Sequence, residues 1–152
     1  MAEALALATG LALLLLLTCT LVHFHALRAC NVLLRNLRAG QTRGGPLLAI
    51  LVAFASHIVQ VALFATAYSF LLRAGLGELR GLTQPSAFSL MYFSTETYSS
   101  LGFGDIYPRG ELRLLSGIEA LVGLVMVAWT ASFTYLEMSR HWAADFVRNE
   151  AR

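Results

Sequence analysis

Three long apolar stretches constrain this chain more than any other feature of its sequence. They cover residues 4–27, 47–72 and 112–136, and few ionisable side chains interrupt them. At ~1.5 Å of rise per helical residue, each is long enough to cross a bilayer as an α-helix. Because 57% of the residues are hydrophobic and only 13% are charged, the composition also favours a membrane protein. We therefore predict an all-α membrane protein with three transmembrane helices.

A shorter, polar segment lies between the second and third apolar stretches. Residues 86–98 follow Pro85, and a helix over them would be ~20 Å long. That length is too short to cross a bilayer, so the segment is predicted to be a re-entrant pore helix. Residues 99–105 then contain Gly102 and Gly104, which tolerate backbone conformations that other residues avoid. Successive carbonyl groups can then face one axis, where a ring of them replaces the water shell of a cation.

The stretch from Thr97 to Asp105 reads TYSSLGFGD and resembles the potassium-channel signature T-x-T-V-G-Y-G-D. From about Phe88 to Leu136 the chain is similar to small bacterial potassium channels that carry a Glu in the pore helix. The resemblance implies a homotetramer in a lipid bilayer that conducts K⁺ passively, with no catalysis and no cofactor besides the permeant ion. It implies that K⁺ is coordinated at the filter by carbonyl groups of Ser100, Leu101, Gly102, Phe103 and Gly104.

Leu101 takes the place usually held by Val, and two further departures from the family pattern matter for the filter. Phe103 stands where Tyr is usual, and Ser99-Ser100 stands where Thr-Thr is usual. Because Phe103 has no hydroxyl, we expect the support around the filter to depend more on packing than on hydrogen bonds. A weakly selective cation channel and a non-conducting, pore-like membrane subunit therefore stay open as alternatives to a potassium channel.

Four further residues are predicted to support the filter: Thr97, Ser99, Glu96 and Asp105. By resemblance to the bacterial channels, Glu96 and Asp105 share a proton or a bridging water. Desolvation and a neighbouring acid both raise the pKa of a carboxyl group, so we expect one of the two to be protonated near neutral pH. The alternative is that Glu96 only hydrogen-bonds to backbone groups.

The third apolar stretch belongs to an inner helix predicted over 111–137. Gly123 falls where the resemblance places a hinge glycine, although glycine also allows helices to pack closely in a membrane. Helical spacing from Gly123 places Leu124, Val127 and Ala131 on the cavity wall. Glu119 is an intramembrane acid, and such groups usually face protein or water. Its expected partners are Gln60 and, farther away, His57, in either a structural clamp or a proton-sensitive gate.

The arginines predict the orientation of the chain in the membrane. The segment 28–45 and the tail 138–152 together contain seven arginines, against four on the other side. By the positive-inside rule, we expect the N-terminus outside and the C-terminus in the cytoplasm, with the chain in the inner membrane of a bacterium. The predicted organisation is a transmembrane helix over 1–27, a basic cytoplasmic interfacial linker over 28–45, and a pore domain over 46–137, with its outer helix over 46–72.

Three features of the N-terminal region have alternative interpretations. A secretory signal peptide could occupy residues 1–27, but such peptides have positive charge before the apolar run, and here only Glu3 precedes it. Segment 28–45 fits a short interfacial helix or a solvated loop. Cys19 and His23 have the spacing of a metal pair, but two ligands are weak evidence, so His23 and His25 are expected at the inner interface.

Other classes of function find little support in the sequence. The formal net charge is only +2, and all eleven basic residues are arginines without a long basic tract. A nucleic-acid partner is therefore not expected, because binding to the phosphate backbone needs concentrated positive charge. No nucleophile–base set or metal-binding motif is evident, so the sequence does not predict an enzyme.

Overall fold

Four helices and one two-stranded antiparallel sheet make up the fold. The computed structural model describes residues 2–38, 45–82 and 84–150. The helices are α1 (Ala2–Arg38), α2 (Gly45–Arg73), α3 (Ala87–Tyr98) and α4 (Leu112–Glu150). The strands β1 (Glu78–Arg80) and β2 (Tyr107–Arg109) pair antiparallel, with Leu79 opposite Pro108. Three helices, α1, α2 and α4, are long and apolar enough to cross a membrane, as the sequence predicted.

Helix α1 is longer than predicted. It continues without a break through Arg38, so the boundary expected at residue 27 is not a helix end. The physical reason is that no Gly or Pro interrupts residues 28–38, and a buried stripe continues through them. The stripe recurs every three or four residues and includes Ala8, Ala12, Leu15, Cys19, His23, Leu27, Cys30 and Leu34. Residues 39–44 of the predicted linker lie outside the described residues.

Helices α2 and α4 form the centre of the bundle. Phe64, Tyr68 and Leu71 of α2 are fully buried against Leu112 and Leu115 of α4. Helix α1 packs on both of these helices, and α3 packs between them. Small residues such as Ala49 and Ala53 occupy buried positions, which allows close approach of helices in a membrane.

Helix α3 has defined ends that position the segment after it. Ser86 is its N-cap, and its hydroxyl accepts a hydrogen bond from the Ser89 backbone N–H at 3.1 Å. In return, the Ser86 backbone N–H donates to the Ser89 hydroxyl at 2.9 Å, which completes a capping box. The helix ends at Tyr98, with Ser99 as its C-cap, as predicted to within one residue.

The C-terminal helix and the two-stranded sheet were not predicted in their observed form. Helix α4 does not end near residue 137 but continues to Glu150, through most of the segment expected to be a separate tail. No Pro or Gly follows Gly123 to end the helix earlier. The two strands join the loop after α2 to the loop after the filter. Each strand has only three residues, which is too few for an alternating hydrophobic pattern to be recognised in the sequence.

Candidate functional site

The segment after α3 has an alternating backbone. Ser100, Gly102 and Gly104 have positive φ angles of 58°, 53° and 80°, whereas Leu101 and Phe103 between them do not. Ser100 is the one non-glycine residue with positive φ within the described ranges. A backbone that alternates in this way can gather successive peptide groups on one side of the chain. The five predicted ion-coordinating residues therefore form one continuous, irregular and exposed segment, Ser100 to Gly104.

Glu96 anchors this segment through both its backbone and its side chain. Its carbonyl oxygen accepts hydrogen bonds from the N–H groups of Leu101 and Gly102, at 2.9 and 3.3 Å. Its carboxylate Oε2 accepts from the Phe103 N–H at 3.0 Å. These contacts join α3 to three of the five residues from Ser100 to Gly104, which we call the filter segment. The role of Glu96 as a filter-support residue stays a prediction.

The other predicted support residues make smaller contributions. The Thr97 carbonyl accepts from the Ser100 N–H at 3.0 Å, and the Ser99 hydroxyl donates to the Glu96 carbonyl at 3.3 Å. Tyr92 has two roles behind the filter: its ring lies parallel to that of Phe103, with centroids 6.3 Å apart, and its hydroxyl donates to Asp105 at 3.1 Å. Stacking and hydrogen bonding therefore both contribute to the support.

Glu96 and Asp105 have separate hydrogen-bond donors in the described residues. Asp105 accepts from the Tyr92 hydroxyl and from the Ile106 N–H, while Glu96 accepts from Phe103. Burial raises the pKa of the Glu96 carboxyl, the Phe103 N–H lowers it, and the charge of Asp105 raises it further. The hydrogen bond from the Phe103 backbone N–H to Glu96 is the kind of contact that the alternative interpretation expected. The proton shared between Glu96 and Asp105 stays a prediction.

Replacing Glu96 with Gln tests the raised pKa. Because the pKa in the folded chain lies above its unfolded value, the stabilisation is present at low pH and is lost as pH rises through the raised value. Glu96→Gln keeps an acceptor for the Phe103 N–H but cannot titrate, so this part of the pH dependence of thermal stability should disappear. Glu78→Gln, an exposed carboxylate bonded to Arg80, is the matched control. An unchanged pH profile in Glu96→Gln would contradict the prediction.

Glu119 lies in a buried cluster with different partners from those predicted. Its Oε2 accepts from the Tyr68 hydroxyl and its Oε1 from the Ser94 hydroxyl, both at 2.5 Å, and its side chain is fully buried. The expected partners, Gln60 and His57, form no hydrogen bond with Glu119 among the described side chains. The reason is rotational: the Tyr68 side chain of α2 and the Ser94 side chain of α3 face Glu119. The cluster joins α2, α3 and α4, which fits the clamp interpretation.

His57 and Gln60 instead belong to a second polar cluster, behind the C-terminal end of α3. Gln60 Oε1 and His57 Nδ1 each lie 2.9 Å from the Tyr98 hydroxyl. His57 Nε2 lies 2.9 Å from the Thr130 hydroxyl of α4, and His23 Nε2 lies 3.2 Å from the same oxygen. His23 is fully buried between the helices, and its expected position at the inner interface stays a prediction.

The roles of Tyr98, Thr130 and His23 in this cluster were not predicted from the sequence. A signal for His23 was present, because it continues the buried stripe of α1 at the spacing of Cys19 and Leu27. His57 and Gln60 also lie one turn apart on an otherwise apolar helix, which favours a common polar partner. That Tyr98 and Thr130 supply the partner depends on how α3 and α4 cross α2, which sequence spacing does not contain.

Gly123 of α4 lies directly against the backbone of Tyr98, the last residue of α3. A β-carbon at this position would lie 1.9 Å from the Tyr98 carbonyl oxygen and 2.8 Å from its carbonyl carbon. Of the two roles proposed for Gly123, close packing therefore has direct geometric support. The predicted cavity residues Leu124, Val127 and Ala131 are exposed on the single chain, on the side of α4 away from the buried Val122 and Met126.

An open cleft of about 910 Å³ lies beside the filter segment. Glu96, Thr97 and Ser100 line one wall, and Arg113, Gly117 and Ala120 of α4 line another. The filter segment is thus bordered on one side by its own helices and on the other by open space. Among the described residues, no group of three or more His, Cys, Asp or Glu side chains could hold a metal ion.

Comparisons with known proteins identify the class to which this arrangement belongs. The sequence model of the ion channel family Ion_trans_2 matches residues 56–136, more than half of the chain. The chain is also similar to the inward rectifier potassium channel Kirbac3.1 of Paramagnetospirillum magnetotacticum, with 33% identity over 86 residues. That alignment covers 55% of this chain but only 28% of the relative. No solved structure matches at a significant level.

The matched region contains α3, the filter segment, most of α2 and the apolar part of α4, whereas α1 lies outside it. A match of this extent assigns the family, and it agrees with the three long apolar helices. The family is one of ion channels and not of enzymes, which agrees with what the sequence indicated. This multi-pass membrane protein belongs to the ion channel family.

Proposed function

We propose that the chain forms a homotetrameric, potassium-selective channel whose filter is built from the carbonyl groups of Ser100 to Gly104. The observation that carries the proposal is the alternation of positive φ at Ser100, Gly102 and Gly104 directly after a short helix. Such a backbone supplies several carbonyl oxygens in sequence, which is what replacement of an ion's hydration shell requires. The similarity to a protein named as a potassium channel supports K⁺ as the permeant ion.

A single chain supplies one wall of such a filter, so several copies are needed around an axis. The open cleft beside the filter, lined by Thr97 and Gly117 among others, supports a neighbouring copy as its occupant. In this arrangement α3 is re-entrant, and its C-terminal end at Tyr98 points toward the axis. The partial negative charge at that helix end would favour a cation in the cavity below.

The proposed cavity wall consists of Leu124, Val127 and Ala131, which are exposed on the single chain. The proposed orientation places the N-terminus outside the cell membrane and the C-terminus in the cytoplasm, because arginines are concentrated in 28–45 and 138–152. The filter would then enter the membrane from the outer side.

Reconstitution in liposomes tests the function. The purified full chain should carry K⁺ much faster than Na⁺, and barium should block the K⁺ flux. Gly102→Val is the matched non-conducting variant, since a β-branched residue is strained at φ 53°. Gly10→Val is its control on α1, because nothing lies within 4 Å of a β-carbon built there.

Three outcomes would overturn parts of the proposal. Equal K⁺ and Na⁺ fluxes that barium does not block would favour the weakly selective cation channel. No flux from a chain shown to be tetrameric by cross-linking would favour a non-conducting subunit. Full K⁺ flux in Gly102→Val would contradict the assignment of the filter to residues 100–104.

A further inference from the structure

The second polar cluster contains side chains from all four helices. His23 comes from α1, His57 and Gln60 from α2, Tyr98 from α3, and Thr130 from α4. Tyr98 is the last residue of α3, two residues before Ser100, where the alternating backbone begins. His23 is the one member that lies outside the region matched by the ion channel family. Its contact with the cluster therefore connects the additional helix to the start of the filter.

The hydrogen atoms of this cluster can be assigned one after another, beginning at Gln60. The Gln60 Nε2 lies 3.2 Å from the Ser56 carbonyl oxygen, which can only accept, so the amide oxygen must face Tyr98. The Tyr98 hydroxyl has one hydrogen and donates it to Gln60 Oε1 at 2.9 Å. His57 Nδ1, 2.9 Å from the same hydroxyl, must then be a donor. In a neutral imidazole this leaves His57 Nε2 as an acceptor.

The assignment continues through Thr130 and returns to Gln60. The Thr130 hydroxyl donates its single hydrogen to His57 Nε2 at 2.9 Å, so it can only accept from His23 Nε2 at 3.2 Å. His23 Nδ1 is then an acceptor, 3.2 Å from the Ser56 hydroxyl and 3.4 Å from the Gln60 amide nitrogen. The Ser56 hydroxyl accepts the second amide hydrogen of Gln60, at 3.0 Å, and donates its own hydrogen to His23 Nδ1. Gln60, Tyr98, His57, Thr130, His23 and Ser56 thus form a closed ring in which every donor faces one acceptor.

We propose that His23 is a positioning residue for the filter, acting through this closed ring of hydrogen bonds on Tyr98. The ring fixes the Tyr98 side chain on one side, while Gly123 receives the Tyr98 carbonyl on the other. Side-chain packing adds to the effect, because the His23 ring lies 5.2 Å from that of His57 and 5.4 Å from that of Trp129. Removing His23 leaves Thr130 without its donor and Ser56 without its acceptor. The functional consequence rests on the proposed function, whereas the ring itself does not.

The ring makes a prediction that does not depend on conduction. The two histidines must be neutral and in opposite tautomers, with the hydrogen on Nε2 of His23 and on Nδ1 of His57. Nitrogen NMR of the full chain with ¹⁵N-labelled histidine, in lipid bilayers at mildly alkaline pH, separates protonated from unprotonated ring nitrogens. Spectra of His23→Gln and His57→Gln assign the signals. The same tautomer in both rings, or averaged shifts from rapid exchange, would overturn the proposal.

Substitutions test whether the ring positions the filter. His23→Ala should shift the backbone amide signals of Ser99 and Ser100, and the ratio of K⁺ to Na⁺ flux should fall several-fold. His23→Gln supplies one donor and one acceptor, so it should restore both properties close to wild type. Thr130→Val, which keeps the volume but opens the ring, should reproduce the effect of His23→Ala. His25→Ala is the matched control, since His25 is exposed on the same helix.

The NMR and flux measurements together distinguish a wrong role for His23 from a wrong proposed function. If the wild type shows no selectivity but the tautomers and amide shifts behave as expected, the ring holds the filter segment and the assignment of a potassium channel is wrong. If His23→Ala leaves the Ser99 and Ser100 signals and the flux ratio unchanged in a folded tetramer, His23 is not a positioning residue. If His23→Gln is as defective as His23→Ala, hydrogen bonding is not how His23 acts.

Discussion

Gly123→Ala should destabilise the channel and abolish most of its current. The added β-carbon would lie 1.9 Å from the Tyr98 carbonyl oxygen, where no real β-carbon is tolerated. The opposing atoms are backbone, so no change of rotamer can relieve the overlap, and α3 must move away from α4. Overpacking in a core costs about 1–3 kcal/mol, and a backbone clash falls at or above the upper end of that range. Thermal unfolding in detergent and K⁺ flux in liposomes measure the two effects.

Gly10→Ala is the matched control for this substitution. A β-carbon at Gly10, in the apolar helix α1, would have nothing within 4 Å. Because Ala is favoured over Gly in a helix interior by ~1 kcal/mol, this variant should be as stable as the wild type or more so. The two Gly→Ala changes are thus expected to have opposite signs. If Gly123→Ala were stabilising and altered only gating, the hinge interpretation would replace close packing.

Glu119→Leu should cause the second large loss of stability. It removes the acceptor of the Tyr68 hydroxyl, which is fully buried and would have no other partner among the described residues. Ser94 loses one contact but keeps the Val61 carbonyl at 2.9 Å. A stranded buried donor costs roughly 1–3 kcal/mol, and each kcal/mol lowers the unfolding midpoint of a chain this size by about 2–4 °C. The midpoint of thermal unfolding measures the loss.

Two further variants distinguish a lost hydrogen bond from lost packing. Glu119→Gln retains the shape and an acceptor for Tyr68, so it should lie much closer to wild type than Glu119→Leu. Adding Tyr68→Phe to Glu119→Leu removes the stranded hydroxyl, so the double variant should be more stable than Glu119→Leu alone. Additive losses in the double variant would show that the Tyr68–Glu119 bond contributes little.

The elements with a strong local signal could be predicted from sequence. Hydrophobic length indicated the three long helices, and Pro85 followed by a short segment indicated α3 to within one residue. The glycines at 102 and 104 marked the irregular segment, because few other residues accept its positive φ angles. The match of residues 56–136 to the ion channel family agrees with this part of the prediction.

Helix ends and side-chain partners were predicted less well. The end of α1 was placed at residue 27 because arginines begin there, but arginine ends a membrane span and not a helix, so α1 continues to Arg38. Glu119 was assigned to Gln60 by depth along the helix. Depth fixes only one coordinate, and the rotation of α2 turns Tyr68 toward Glu119 instead.

The sequence by itself determined that this chain has three helices long and apolar enough to cross a membrane, and an irregular, glycine-containing segment after a short helix. Both properties follow from local chemistry, namely apolar length and backbone freedom. Only the tertiary structure decided which polar side chains meet, since hydrogen bonds require atoms about 3 Å apart and helix crossing sets those distances. The ring that joins His23 to Tyr98 is of this second kind, because its residues come from four separate helices.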